Sequence, residues 1–260
     1  MVGQILDLNL IGKTALVTGG GSGLGRTITE EFAREGVNVA VSYRSNEKEV
    51  KAFLEELNNR YGTKSIAVKA DISNKQDLNS LFDTACETFG TMDILVNNAG
   101  IWLSSYVKDM PEEDFEKTLA VDLEAPFLLC KKMVNHLLAK NSRGKIINIV
   151  SQAAFHGSTT GHAHYAAAKG GLVIFTVSLA REVAQYGINC NCVAPGIMRT
   201  KMMSGALSSE NGEEYYKDRI PLKRIAEPNE VAYAVLFLAS NKADYITGAT
   251  IDVSGGMLMR

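Results

Sequence analysis

Apolar residues in this chain follow two rhythms that take turns. Short, nearly continuous runs of Val, Ile, Leu and Ala occupy Thr14 to Thr18, Val37 to Ser42, Ile66 to Lys69, Ile94 to Val96, Lys145 to Val150, Ile188 to Val193 and Thr250 to Val253. Between them, Arg26 to Glu35, Glu47 to Tyr61, Lys75 to Phe89, parts of Pro111 to Leu138, Ala163 to Tyr186 and Glu227 to Leu238 carry the spacing of helices with one buried side. The runs predict strands covered on both faces. Gly36 and Gly90 stand where two of the helices should stop, because a left-handed cap residue is most easily a glycine. Strands alternating with helices predict an α/β fold, a Rossmann-like doubly wound parallel sheet with helices on both faces, in a single domain over 1–260. One long polar stretch, Ile197 to Ile225 with Gly205 and Gly212, lacks strand character. It reads as a mobile lid over a pocket, the alternative being an ordinary surface excursion.

Composition narrows the function classes. A chain of 260 residues, 46% hydrophobic, can bury one substantial core. Its net charge of −2 gives no basic face for a polyanion, so nucleic acid is not an expected partner. Met1 to Ile11 has no basic flank, long apolar run or small-residue cleavage pattern, and the apolar stretches look shorter than a bilayer span. A cytoplasmic protein without membrane attachment is expected. The cysteines, Cys86, Cys130, Cys190 and Cys192, are scattered except for the last two, which strand alternation would place on one face. They read as buried structural thiols, because no second ligand pair accompanies them and no metal site is expected.

Between the first strand and first helix stands Thr18-Gly19-Gly20-Gly21-Ser22-Gly23-Leu24-Gly25. A glycine-rich turn there lets a pyrophosphate approach backbone N–H groups at a helix N-terminus, where the helix dipole favours negative charge. Dinucleotide folds usually end the next strand in a carboxylate that binds the adenine ribose hydroxyls. Here that strand ends in Ser42-Tyr43-Arg44-Ser45. Arg44 supplies a forked cation and Ser45 a hydroxyl, which favours NADP(H) and leaves NAD(H) open.

Tyr165 and Lys169 are four apart in a predicted helix and so share one face. An ammonium there should ease ionisation of the phenol towards neutrality and make it a proton donor or acceptor. Ser151 follows the run Ile146 to Val150, at the C-terminal sheet edge where doubly wound folds bind ligands.

Taken together, these motifs resemble the classical short-chain dehydrogenase/reductase family over nearly the whole chain. The turn from Thr18 to Gly25, the segment Asn97-Asn98-Ala99-Gly100, the pair Asp71-Ile72, Ser151 ahead of Tyr165 and Lys169, and Pro195-Gly196-Ile197 followed by Thr200 carry the likeness. The resemblance implies that Tyr165 exchanges a proton with the substrate oxygen, Ser151 orients that oxygen, and Lys169 holds the nicotinamide ribose and depresses the tyrosine pKa. It implies that Asp71 and Ile72 flank the adenine, that Asn98, Ala99 and Gly100 line the cofactor groove, and that Pro195, Gly196, Ile197 and Thr200 meet the nicotinamide half. Asp122 departs from the pattern, since the family usually has an asparagine there that helps hold a relay water. Retained activity is expected. Substrate choice is expected from Trp102, Ser104, Ala153, His156, His162 and the run Met198 through Met203, and a homotetramer from the run Ile246 to Gly256.

The resulting expectation is an NADP(H)-dependent oxidoreductase interconverting a carbonyl and a secondary alcohol, similar to 3-oxoacyl-carrier-protein reductases. A sugar or polyol dehydrogenase is the alternative. A non-catalytic dinucleotide-binding redox sensor is the reading of another class, and the presence of both Tyr165 and Lys169 argues against it.

Overall fold

The apolar runs become strands β1 (Thr14–Val17), β2 (Asn38–Tyr43), β3 (Ile66–Lys69), β4 (Ile94–Asn97), β5 (Gly144–Ile149), β6 (Ile188–Pro195) and β7 (Thr250–Val253) in the computed structural model. It describes residues 7–158, 161–209 and 211–259, so the beginning of the Met1 to Ile11 segment lies outside the described residues. The strands form one parallel sheet in the order β3-β2-β1-β4-β5-β6-β7. The chain winds outward from β1 in one direction and from β4 in the other. A crevice therefore opens between the C-terminal ends of β1 and β4, where connections leave in opposite directions.

The connections are helices α1 (Gly23–Arg34), α2 (Glu47–Tyr61), α3 (Lys75–Phe89), α4 (Glu112–Leu119), α5 (Ala125–Ala139), α6 (Ala153–His156), α7 (Ala163–Val183), α8 (Lys201–Leu207), α9 (Gly212–Arg219) and α10 (Pro228–Ala239). Strand alternation divides the core into two layers. Ala15, Val17, Val39, Val41, Ile94 and Val96 pack with Phe32 of α1, Phe53 of α2 and Val235 of α10. Leu16, Ala40, Leu95 and Ile146 turn the other way, towards Phe82 of α3, Met133 of α5 and Leu179 of α7. Each fully buried aliphatic side chain contributes about 1.5–3 kcal/mol relative to exposure, so both faces of the sheet must be covered for the strands to persist. Cys190 and Cys192 both face the α7 side, as the alternation predicts. Burial pushes the Cys190 thiol up to about 12, which leaves it inert as a nucleophile at neutral pH.

Besides shifts of a residue or two at strand ends, three features depart from the sequence reading. Helix α1 begins at Gly23 rather than Arg26, because Gly23 and Gly25 belong to its first turn. The stretch from Ile197 to Ile225 is not an extended loop: it folds into α8 and α9, too short and, in α9, too polar to give a clear helical stripe. Finally, Ala163–Tyr186 is long and apolar enough to cross a membrane by length and composition alone, contrary to the expectation of shorter stretches. It is a core helix, buried along one side through Leu172, Thr176 and Leu179 and carrying the buried His164 and Lys169.

Candidate active site

The crevice at the switch point is a cavity of about 860 Å³ that runs from the end of β2 past the ends of β1, β4, β5 and β6 to α8 and α9. At its centre lies the glycine-rich turn. Gly19 and Gly23 adopt left-handed backbone, with φ of 64° and 50°. Gly25 is required for a different reason: a Cβ there would lie 2.2 Å from the carbonyl oxygen of Gly19. This close approach draws α1 onto the turn, and Ser22, its N-cap, makes no side-chain capping bond. The first N–H groups of α1 are thus left without that partner beside Gly21, Ser22, Gly23 and Leu24, all of which line the cavity. The cavity's length and this uncapped, dipole-positive helix end fit a dinucleotide with its pyrophosphate at the turn.

Thr18 and Gly25, expected among the cofactor contacts, lie behind the cavity wall instead. The Thr18 hydroxyl accepts from the backbone N–H groups of Asn98 and Ala99, each at 3.0 Å, while Asn98 Nδ2 donates to the Thr18 carbonyl at 2.9 Å. These bonds tie the ends of β1 and β4 together. Asn98, Ala99 and Gly100 then line the groove. At the β2 end the cavity is walled by Tyr43, Arg44 and Ser45, with Glu49 of α2 also present. Asp71 and Ile72 line the same end. The Asp71 carboxylate accepts from Ser73 Oγ at 2.7 Å and Ser73 N at 3.0 Å, bonds that hold its pKa below the usual value.

The other end brings Ser151, Tyr165 and Lys169 together, with Pro195, Gly196, Ile197 and Thr200 on the adjoining wall. Ser151 leaves the tip of β5 and its hydroxyl hydrogen-bonds the Tyr165 phenol. One turn along α7, Lys169 Nζ lies 5.7 Å from the centre of the Tyr165 ring. It donates to the Ile149 carbonyl at 3.0 Å and lies 3.0 Å from Asp122 Oδ1. Asp122 is wholly buried beneath the cavity floor, on a single π-helical turn, Ala120–Glu124, that joins α4 to α5. Such turns cost regular hydrogen bonding and recur at functional sites. Gly100 sits directly above it, where a Cβ would meet Asp122 Oδ1 at 2.5 Å.

Electrostatics at this corner differ from the sequence expectation. Burial is the largest influence on the Tyr165 phenol and raises its pKa; Lys169 lowers it, Asp122 raises it further, and the Ser151 bond lowers it, with a net rise. Lys169 does not bring the phenol towards neutrality, because burial outweighs its pull and the Asp122 carboxylate adds to the rise. Burial alone would lower the Lys169 ammonium, yet Asp122 and the phenol hold its pKa above the ordinary lysine value.

Behind the corner runs a buried polar ladder, of which only Asn97 belongs to a motif quoted from the sequence. Asn97 Nδ2 donates to Asn148 Oδ1 at 2.7 Å, Asn148 Nδ2 to Thr176 Oγ1 at 2.8 Å, and Thr176 Oγ1 to the Leu172 carbonyl at 2.6 Å. It locks β4, β5 and α7 in register and so holds Ser151 and Tyr165 on facing elements. Of the expected substrate-side residues, Trp102, Ala153, His156, Met198, Met202 and Met203 line the cavity, whereas Ser104 and His162 do not. His162 is buried behind Trp102, stacked on it at 4.2 Å between ring centres, with Nδ1 bonded to the Leu103 carbonyl at 2.6 Å. Arg199 also turns away and pairs with Glu213 and Glu227. Sequence reasoning missed Arg26, Gln152, Tyr215, Tyr216, Arg219 and Met257 on the cavity wall. Gln152 could have been found from its place beside Ser151; Met257 arrives from the far end of the chain and left no local signal.

A family profile described as enoyl-(acyl carrier protein) reductase matches residues 19–258. A 3-oxoacyl-(acyl-carrier-protein) reductase of Aquifex aeolicus is 40% identical over 252 residues, covering 97% of this chain and 100% of the relative. Glucose 1-dehydrogenase 2 of Bacillus subtilis is 36% identical over 252 residues, covering 96% of each chain. Among solved structures, a dehydrogenase/reductase from Sinorhizobium meliloti superposes with a TM-score of 0.90, with 32% identity and coverage of 97% of this chain and 98% of that one. A short-chain type dehydrogenase/reductase from Mycobacterium marinum gives a TM-score of 0.90 with 28% identity, covering 98% of both chains. A doubly wound sheet, a dinucleotide cleft and relatives that act on carbonyl or alcohol groups lead to one conclusion: this chain is a nicotinamide-dependent oxidoreductase belonging to the short-chain dehydrogenase/reductase family.

Proposed function

We propose that this enzyme uses NADP(H) to interconvert a 3-oxoacyl-type carbonyl and its secondary alcohol, with Tyr165 as the proton-transferring residue. The observation that carries the reading is the convergence of Ser151, Tyr165 and Lys169 at one end of the dinucleotide-sized cavity. The nicotinamide, when bound, supplies or accepts the hydride. Tyr165 Oη gives its proton to the substrate oxygen in reduction, the Ser151 hydroxyl orients that oxygen, and the Lys169 ammonium serves the nicotinamide ribose while stabilising negative charge on the phenol oxygen. Asn98, Ala99, Gly100, Pro195, Gly196, Ile197 and Thr200 would border the cofactor on the two sides of the groove. The helices α8 and α9 form a lid, supported by the position of Met202, Met203 and Tyr215 on the cavity wall.

The choice of NADP(H) rests on Arg44 and Ser45 at the adenine end, where no salt bridge among the described residues engages Arg44. A guanidinium–phosphate bond is worth about 1.5–3 kcal/mol, so Arg44→Glu should raise KM for NADPH by roughly ten- to a hundredfold while leaving KM for NADH nearly unchanged. Steady-state kinetics with both cofactors check this, and an unaltered NADPH preference would remove Arg44 from the reading.

A sugar or polyol substrate is the second reading, supported by the Bacillus subtilis glucose dehydrogenase relative. Oxidation of NADPH by a 3-ketoacyl thioester, run beside reduction of NAD and NADP by sugars and polyols, separates the two. Turnover confined to the sugar arm would overturn the 3-oxoacyl assignment. A homotetramer is proposed for the assembly, supported by the exposed Phe127 and Ile174 on neighbouring helices α5 and α7. Sedimentation should give a mass four times that of the chain.

A further inference from the structure

Asp122 turns its two carboxylate oxygens towards two different partners, one through charge and one through a hydrogen bond. Oδ1 lies 3.0 Å from the Lys169 ammonium, and Oδ2 accepts from the backbone N–H of Ile101 at 3.2 Å. A carboxylate offers negative charge to the ammonium while its other oxygen accepts from the amide. An asparagine in the same pose would satisfy one and turn its NH₂ towards the other donor. The pocket is also shaped around this group: Gly100 leaves no Cβ over Oδ1, and the π-helical turn delivers Asp122 to a site without solvent exposure. The pair is therefore built into the fold.

We propose that Asp122 is a positioning residue that holds Lys169 as a paired ammonium and keeps Tyr165 protonated at neutral pH, so that the resting site is armed to donate a proton to a carbonyl. The inference rests on the reading of Tyr165 given above. Its basis is a charge count at the inner corner of the cavity, where Asp122 and Lys169 are buried and Tyr165 is partly so. Asp122 and Lys169 already cancel, so ionising Tyr165 would give the cluster a net negative charge beside a buried carboxylate, which that carboxylate resists. With a neutral residue at 122, the ammonium would stand unpaired and tyrosinate would become its natural counter-ion. The direction found for the phenol, with Asp122 among the influences that raise it, agrees.

The groups facing this cluster come from every element packed on it. Ser151 follows β5 and bonds the phenol; the Ile149 carbonyl of β5 accepts from Lys169; Cys192 of β6 lies near the ammonium; and His162 and His164 flank the start of α7. Among these, Asp122 is the carboxylate. In reduction the carbonyl carbon gains hydride from the reduced nicotinamide, its oxygen takes the Tyr165 proton, and the tyrosinate recovers a proton from solvent. The reverse reaction needs tyrosinate at the start, to take the alcohol proton as hydride leaves for the oxidised ring.

The test compares pH profiles of kcat/KM for alcohol oxidation and carbonyl reduction in the wild-type holoenzyme, Asp122→Asn and Asp122→Glu. In Asp122→Asn the midpoint for oxidation should fall by one pH unit or more, giving about tenfold more of the competent tyrosinate on the rising limb, and the fall of the reduction profile should move with it. Asp122→Glu, which keeps the charge, should hold the wild-type midpoint even where turnover drops. If Asp122→Asn does not fold, Asp122→Ser removes the charge in a smaller side chain and is read the same way. Coincident midpoints in the wild type and the uncharged variant would overturn the proposal. Tyr165→Phe in the same assay tells the two failures apart: undiminished turnover there defeats the Tyr165 reading itself, whereas an inactive Tyr165→Phe with coincident midpoints defeats only the role of Asp122.

Discussion

Replacing Tyr165 with phenylalanine should lower kcat/KM for carbonyl reduction by about 10²–10⁴-fold, the usual contribution of a positioned general acid. That range corresponds to about 3–5.5 kcal/mol of transition-state stabilisation. The substitution is a narrow one. The ring remains in place, one turn from Lys169 and beside the tip of β5, and only the hydroxyl that bonds Ser151 is removed. The salt bridge between Lys169 and Asp122 does not involve that oxygen and should persist. Cofactor affinity, measured by NADPH fluorescence titration, should therefore change little, and so should the melting temperature. A variant that turns over within a few-fold of the wild type would show that some other group moves the proton.

Lys169→Met carries the largest expected loss of stability. Methionine fills much of the space but leaves the Asp122 carboxylate, which has no solvent exposure, facing an apolar side chain. Removing one member of a buried ion pair costs about 3–5 kcal/mol, because the charge left behind can neither reach water nor find a counter-charge. For a chain of this size that is a fall of roughly 6–20 °C in melting temperature. The double variant Asp122→Asn with Lys169→Met should recover a good part of it, since no lone charge then remains. Thermal melts of the two variants decide the matter, and equal stability for the wild type and Lys169→Met would mean that water reaches the carboxylate. The pH dependence has a definite sign. The folded-state pKa of Lys169 is raised, so its stabilisation is complete below the ordinary lysine range and is lost as pH climbs through that range to the higher folded value. Lys169→Met should lack this alkaline loss. Activity would fall as well, but the melt isolates the structural effect from the catalytic one.

Helices α2 and α3 and strands β3 and β7 were legible to the residue, because their signals are local: apolar periodicity, a charged face and a glycine at the end of each helix. The glycine-rich turn was legible for the same reason, though its glycines hid the true start of α1 by reading as loop. Helices α8 and α9 were not seen, since a short helix with a polar outer face has too few apolar positions to set a period.

What the sequence determined by itself was the order of strands and helices, and with it the doubly wound sheet and the place of its crevice. The pairing of Tyr165 with Lys169 on one helical face was also determined there, since four-residue spacing is a property of the backbone helix. Tertiary structure decided the chemistry of that pair. Asp122, itself held by the Ile101 N–H, and the Ile149 carbonyl reach Lys169 only because the sheet and the π-helical turn bring distant segments together. Whether an ammonium eases a neighbouring phenol depends on how much water and how much counter-charge surround both, and those are properties of packing, which no spacing along the chain encodes.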